Sequence, residues 1–531
     1  MEKFYITTPI YYVNDAPHSG SAYTTIAADV LARWNRMRGR EVFFLTGTDE
    51  HGAKIEAKAR EAGIEPQEFV NEVAAKFEFA WDELNISYNR FIRTTEEAHI
   101  KAVQNALDYM YQKGDIYKGK YEGWYCRGCE QFKSERDLVD GKCPDHGIVP
   151  EKMSEETYLF KLSRYQDELY EKIKNDEFRI SPPEKKNEVI SFYEKEGLKD
   201  IAFSRAKVKW GIPLPWDQTH TTYVWADAFL NYLTGLGWGG KPEEIPKMWP
   251  PEVQLMSKDI MRVHTTIWPA MLLSLGLPLP KQIFVHGFFL VDGQKMSKSL
   301  GNVIRPEEMV RRFGVDATRY LLMGATTFGR DGDISWDKFT AKYNADLANG
   351  VGNLVARSIT LAIKLREVGL ELKESKKENF QFSMIPARNG VGNFQSIFND
   401  QFSMFKNNFT MIKFWEVCRK KFAALEIDKV IDLITIQVRF LDNYITTAKP
   451  WELIKNKDER AGAVMYNILE SLRHLAWMLW PFMPETAEKI WQSLGIDASE
   501  EMKRDFQEAR AWGGLPLKTK VKKEKPLFPR I

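Results

Sequence analysis

Two lysines, two hydroxyls and one flexible apolar side chain fill five consecutive positions, Lys295-Met296-Ser297-Lys298-Ser299, between Gly293 and Gly301. Ammonium groups on a glycine-bounded loop can swing onto a polyphosphate and follow its charge as a bond breaks. An isolated K-x-x-K would be read as a solvated charge run. This pentapeptide instead has a counterpart 277 residues upstream, at His18-Ser19-Gly20-Ser21. A turn into a helix at that point offers backbone N–H groups and a positive dipole end to an anion, and Gly20 allows close approach of a phosphate or adenine. Alone, His and Ser serve equally well as helix caps.

A second chemistry is spelled out by cysteine. Cys126-Arg-Gly-Cys129 and Cys143-Pro-Asp-His146 are separated by thirteen residues. Three thiolates and one imidazole give a tetrahedral Zn²⁺ four ligands and no vacancy for water, so the expected metal is structural. Only four cysteines occur in 531 residues, and three lie within eighteen positions. That is no secreted disulfide framework; it points to metal in a reducing compartment. Cys418 stands apart and is expected in a core.

These groups need a frame. Phe4 to Val13 is a β-rich apolar run closed by the turn cluster Asn14-Asp15-Ala16-Pro17. A helical pattern runs from Ala22 to Met37, and a second strand, Glu41 to Thr46, ends in Gly47-Thr48-Asp49-Glu50-His51-Gly52. Strand, helix, strand with polar residues at the strand ends is how an open parallel α/β sheet presents a site. The pattern returns at the buried strand Ile283 to His286, so the sheet is expected to be split by an insertion carrying the cysteines. The expected divisions are 1–116 and 220–300 for the two catalytic halves and 117–219 for the insertion. A lysine-loop region at 301–345, a helical domain at 346–510 and a basic tail at 511–531 complete the chain. In the helical part, Val430, Ile434, Val438, Leu441 and Ile445 form one face, and Ile468, Leu472, Leu475 and Leu479 another. Lys373 to Phe414 has weak periodicity and takes no assignment.

Net charge is only +2, so a nucleic-acid surface must be a local patch. Hydrophobic residues at 44% and charged residues at 28% describe an ordinary globular protein. No run of eighteen uncharged apolar residues appears and no basic n-region precedes a long apolar stretch, so a membrane role is not expected and the cytoplasm is the default.

The lysine pentapeptide and the His18 turn together resemble the paired signature of class I aminoacyl-tRNA synthetases. Within that class the chain resembles the methionyl-tRNA synthetase family. The resemblance rests on Pro9-Ile10-Tyr11-Tyr12-Val13-Asn14, Thr46 to Gly52, Tyr223-Val224-Trp225-Ala226-Asp227-Ala228, and Lys258-Asp259 followed by His264 and Trp268-Pro269. It covers the chain in order to about residue 360, and Trp451 extends it. The family's first signature is His-apolar-Gly-His; Ser19 and Ser21 depart from it. Ser257 replaces a glycine that usually precedes the Lys-Asp pair.

The resemblance implies a Rossmann-like parallel sheet split by a zinc-binding insertion, followed by an all-helical anticodon-binding domain. It implies a methionine–tRNA ligase acting through methionyl-adenylate, with ATP and its Mg²⁺, L-methionine and tRNA(Met) as partners. His18, Gly20, Ser21, Lys295 and Lys298 map to ATP binding, with His18, Ser21 and the two lysines also catalytic. Ile10, Tyr12, Asp49, Trp225, Ala228, Tyr232, Ile260 and His264 map to a methionine pocket. A polarizable thioether suits aromatic walls, and a carboxylate suits an α-ammonium. Tyr232 and His264 are expected to separate methionine from aliphatic isosteres, because shape alone is worth only about 1–3 kcal/mol per methylene. Asn353, Arg357 and Trp451 map to the anticodon readers, where an indole can stack on an unpaired base; Trp451 follows Pro450, so helix packing is its rival role. Some relatives add a C-terminal tRNA-binding module. The chain stops after Lys518 to Ile531, so such a module is expected to be absent or on a separate subunit.

Two other readings stand beside this one. A leucyl or cysteinyl class I enzyme would share the signatures but not the combination of Tyr12, Trp225 and His264. A non-catalytic tRNA-binding protein is suggested by Ser19 and Ser21, although it would have no need of the lysine loop.

Overall fold

The computed structural model describes residues 2–127, 131–133, 138–144, 147–296, 301–374 and 411–531. At its centre is a sheet of seven parallel strands. Their order is Tyr11–Tyr12, Glu41–Asp49, Lys3–Thr7, Val253–Ser257, Gln282–His286 and Arg179–Ser181, with Arg90–Arg93 also paired to Glu41–Asp49. Strand order reverses at Lys3–Thr7, which has Glu41–Asp49 on one side and Val253–Ser257 on the other. A crevice opens at such a switch point, outside the carboxyl ends of the strands. Alternation along Lys3–Thr7 sends Phe4 and Ile6 to one hydrophobic cluster and Tyr5 to another, so apolar layers cover both faces.

The apolar run expected as one strand from Phe4 to Val13 is two. Thr8 to Ile10 lies outside the ladder, at Pro9, which has no N–H to donate. The helix starts three residues earlier than its apolar pattern, at Ser19, and runs to Met37. The second strand is longer than expected, Glu41–Asp49, carrying Asp49 to the sheet's rim.

The excursion expected at 117–219 is not continuous. Strands Ile116–Cys126 and Glu151–Phe160 pair along ten residues in a separate antiparallel sheet, but Arg179–Ser181 returns to the central sheet beside Gln282–His286. Three residues are too few for a periodic signal, so only the pairing reveals that strand.

Beyond residue 340 the described chain is helical. Ile427–Ala448 and Arg460–Leu479 bury the two expected faces. The segment without assignment falls largely outside the described residues; its end is helix Met411–Ala423. The helical part shares a core with the sheet: Trp34 of the first helix stacks on Phe422 at 4.2 Å and on Trp415 at 6.4 Å.

A buried ionic knot joins the same parts. The Arg319 guanidinium donates to Asp29 Oδ2 at 2.6 Å, to Phe482 O at 2.8 Å and to Leu84 O at 3.0 Å, and Arg33 donates to Asp29 at 2.7 Å. Burial alone would raise the Asp29 carboxyl, but the Arg33 and Arg319 guanidiniums outweigh it and hold it at about 2. The basic tail is not a loose arm, since Lys522 N–H donates to Ser493 O and Arg530 Nε donates to Asn349 Oδ1, both at 2.9 Å. No helix among the described residues is long and apolar enough to cross a membrane.

Candidate active site

At the carboxyl ends of the central strands lies a cleft of about 930 Å³. Ile10, Tyr12, His18, Gly20, Ser21, Asp49, Trp225, Ala228, Tyr232, Ile260, His264 and Lys295 all line it. Residues spread over almost 290 positions thus converge on one cavity. Ser297 to Leu300, and with them Lys298, lie outside the described residues.

His18 caps the first helix. The N–H groups of Gly20 and Ser21 donate to His18 Nδ1 at 3.0 and 3.4 Å, while Ser21 Oγ donates to His18 O at 2.7 Å and accepts from His18 N–H at 3.0 Å. This closes a capping box. Because Nδ1 accepts, the ring is neutral with its proton on Nε2, which remains as a donor. Burial, with Arg305 and Lys295 nearby, lowers the His18 pKa despite the opposing pull of Asp15. Gly20 has a second reason to be glycine: a Cβ there would stand 2.9 Å from His18 Cε1.

Ser21 therefore spends its hydroxyl within the turn. Ser19 is fully buried, and its N–H donates to Ile304 O at 2.9 Å. Its Oγ donates to Met296 Sδ at 3.3 Å, so the two signature segments touch. Lys295 Nζ sits 4.3 Å from the Phe288 ring centre and Lys258 Nζ 4.7 Å from it; Lys258 also pairs with Asp331 at 2.5 Å.

In the adjoining pocket, His264 Nδ1–H donates to Ile260 O at 2.9 Å, so Nε2 accepts from the Tyr232 hydroxyl at 2.8 Å. Complete burial, only partly opposed by the Ile260 hydrogen bond, brings the His264 pKa down to about 4. The two polar groups expected to contact a ligand satisfy each other. The wall they form is rigid and offers a weak acceptor such as a thioether no unmet donor. Trp225 meets His264 edge-on at 6.1 Å, and Phe229, which sequence reading missed, meets it at 4.9 Å. His286 was also missed: it lines the cleft, accepting from Thr24 Oγ1 at 2.7 Å with Nδ1–H on Gly287 O at 2.8 Å. A lone histidine ending a strand gave no spacing signal.

Of the four cysteine-knuckle residues, Cys126 and Cys143 are described, and both are fully buried. Cys143 sits in a tight turn, where its N–H donates to Ile148 O at 2.8 Å and its carbonyl accepts from Gly147 N–H at 2.7 Å. Buried thiols are the chemistry that thiolate ligation of a structural metal requires. Cys129 and His146 lie outside the described residues, and no group of three candidate ligands occurs among the described ones. Cys418 is buried in the helical core, and burial raises its pKa, as its isolation suggested.

In the helical part, outside the cleft lining, Asn353 opens helix Asn353–Glu367, directly after a π-helical stretch, Tyr343–Gly352. Arg357 lies one turn on, bonded to Asp442 at 2.9 Å and 5.4 Å from the centre of the Trp451 ring. Trp451 is 39% exposed on the short helix Pro450–Lys455. That exposure argues against a core role.

The comparisons with known proteins agree with this geometry. The family profile described as tRNA synthetases class I (M) matches residues 4–149 and 146–359, and that of the anticodon-binding domain of tRNA ligase matches 411–524. The methionine–tRNA ligase of Clostridium acetobutylicum is 43% identical over all of this chain and 78% of its own length. That of Streptomyces coelicolor is 40% identical over 100% of this chain and 97% of its own. The solved structure of Mycobacterium tuberculosis methionyl-tRNA synthetase in complex with methionyl-adenylate superposes with a TM-score of 0.87 at 34% identity, covering 100% of both chains. Sheet, cleft and helical domain define a class I tRNA synthetase, and the chain belongs to that class's methionyl-tRNA synthetase family.

Proposed function

We infer that the cleft carries out the two reactions of a methionine–tRNA ligase. The observation that carries this reading is the convergence of twelve candidate residues on one cavity at the switch point of the sheet. Methionine lies with its side chain among Tyr12, Trp225, Ala228, Tyr232, Ile260 and His264 and its ammonium toward Asp49. One carboxylate oxygen of methionine attacks the α-phosphorus of ATP. The new C–O–P link forms as the bond to the bridging oxygen breaks, and pyrophosphate leaves with that electron pair. His18 Nε2–H, the helix N-terminus, Lys295 and Lys298 meet the charge that moves onto the departing phosphates. Mg²⁺ arrives with ATP and neutralises phosphate charge.

A ribose hydroxyl at the 3′ end of tRNA(Met), the 2′ one if the enzyme follows its class, then attacks the methionyl carbonyl and AMP leaves. Most of the rate comes from positioning and charge stabilisation rather than covalent catalysis. Cys126, Cys129, Cys143 and His146 would hold one structural Zn²⁺ in the insertion. Asn353, Arg357 and Trp451 read the anticodon, with the open indole as the stacking surface.

Amino-acid-dependent exchange of pyrophosphate into ATP tests the reading. Exchange with methionine and none with leucine or cysteine is expected. Exchange with leucine alone would move the chain to another class I specificity, and none with any amino acid would leave a tRNA-binding protein.

A further inference from the structure

Three of the eight residues assigned to the amino-acid pocket stand on two very short helices. Trp225 and Ala228 belong to Val224–Ala228, five residues long, and Tyr232 to Asn231–Thr234, four residues long. Helices of one turn have no stability of their own, so tertiary bonds must set where these walls stand.

One buried carboxylate supplies those bonds. Asp227 lies between Trp225 and Ala228 in sequence. The latter two share a helical face, and at about 100° per residue Asp227 projects away from it. Its Oδ2 accepts from His51 Nδ1 at 2.7 Å, and its Oδ1 from His99 Nε2 at 2.8 Å. His99 Nδ1 in turn meets Thr234 Oγ1 at 2.7 Å, on the second short helix. Asp227 and His99 are 1% exposed, and His51 is 5%.

The far end of this chain of bonds is rigid. His51 comes two residues after Asp49, and its neighbours are pinned. Glu50 is fully buried and takes Arg93 in a fork at 2.7 and 2.9 Å, and its carbonyl accepts from Trp210 Nε1 at 2.6 Å. Gly52 N–H donates to Trp210 O at 3.0 Å. The strand end that carries Asp49 is thus held to the two helices that carry the opposite wall.

Stability is a poor explanation for the arrangement. A buried polar network around a carboxylate is often no more stable than apolar residues of the same volume, whereas its directional bonds fix geometry. Neither His51, His99 nor Asp227 lines the cleft.

We propose that His51, Asp227 and His99 are positioning residues that hold Asp49, Trp225, Ala228 and Tyr232 in register for the amino acid, without touching it. This rests on the methionine pocket assigned above. ATP is held by other elements, the His18 turn and the lysine loop, so disturbance of the network should be felt by methionine and not by ATP.

The test is steady-state pyrophosphate exchange with methionine and ATP varied separately, on the full chain. His51→Ala should lower kcat/KM for methionine by about 10²-fold, the cost of roughly 1 Å of misplacement. The ATP KM should stay within about twofold of wild type, because uniform binding at that subsite is untouched. His51→Asn, whose amide nitrogen can stand where Nδ1 stood, should recover most of the loss. His99→Gln, which mimics Nε2, should likewise recover most of the loss seen in His99→Ala. A lowered melting temperature with methionine and ATP parameters both unchanged would overturn the proposal, as would equal damage to both substrates or no recovery in the amide variants. If the wild type showed no methionine-dependent exchange, the activity reading would fail and this proposal with it. A normal wild type beside an indifferent His51→Ala would overturn the network alone.

Discussion

Replacing Trp451 by alanine separates two roles whose sizes differ enough to measure. A fully buried tryptophan such as Trp477 or Trp491 in the same domain would cost about 3–5 kcal/mol of stability on truncation. Trp451 belongs to neither hydrophobic cluster, and the ring or cation contact it makes among the described residues is with Arg357 at 5.4 Å. An exposed cation–π pair is worth about 0.5–1 kcal/mol. The expected loss of stability is therefore near 1 kcal/mol, and Arg357 keeps its bond to Asp442. At that size the helical domain's melting temperature should fall by about 2–4 °C. If the indole stacks on an anticodon base, tRNA recognition loses about 1–3 kcal/mol, which is about 5- to 150-fold in kcat/KM for tRNA. Methionine-dependent pyrophosphate exchange should be unchanged, since Trp451 is not among the described residues that line the cleft. The loss should shrink for a tRNA with an altered anticodon, because two changes to one contact do not add. Exchange, aminoacylation and melting measured on one preparation decide the matter. Equal damage to both reaction steps, with a melting shift of the buried-tryptophan size, would refute the reasoning.

Three further outcomes are expected. Lys298→Ala should slow adenylate formation by roughly 2.7–4 kcal/mol in barrier while sparing the methionine KM; a rise confined to that KM would sink the assignment. Cys143→Ser should lose stoichiometric zinc by elemental analysis while the circular dichroism of the bulk fold persists; a wild type without zinc would contradict the knuckle reading. The folded His264 pKa of about 4 lies below the ordinary value of 6.5, so the unfolded chain binds the extra proton between those pH values. Stability tied to this group is then complete above pH 6.5 and is lost as pH falls toward 4, by roughly 3 kcal/mol. A ring titration followed by NMR should show a midpoint well under 5, and one near 6.5 would mean that the imidazole is not sealed against Tyr232.

Local sequence settled a good deal. The lysine pentapeptide, the His18 turn and the aromatic motifs are each contiguous runs of residues, so each is readable whole from the chain. Amphipathic faces in Ile427–Ala448 and Arg460–Leu479 were readable because helical period is a local property. Ser19 and Ser21 were only anomalies at that level. The structure makes Ser21 half of a capping box and Ser19 a contact to Met296, 277 residues away. Other features had no local trace at all. Arg179–Ser181 joins the central sheet through its partner strand, not its composition. His51, His99 and Asp227 read as unrelated polar residues until the fold closes separations of 176 and 128 positions to hydrogen-bond distance. Motifs are visible in sequence because one segment must carry them whole, whereas a network built from single residues on several elements exists only once packing has chosen which elements meet.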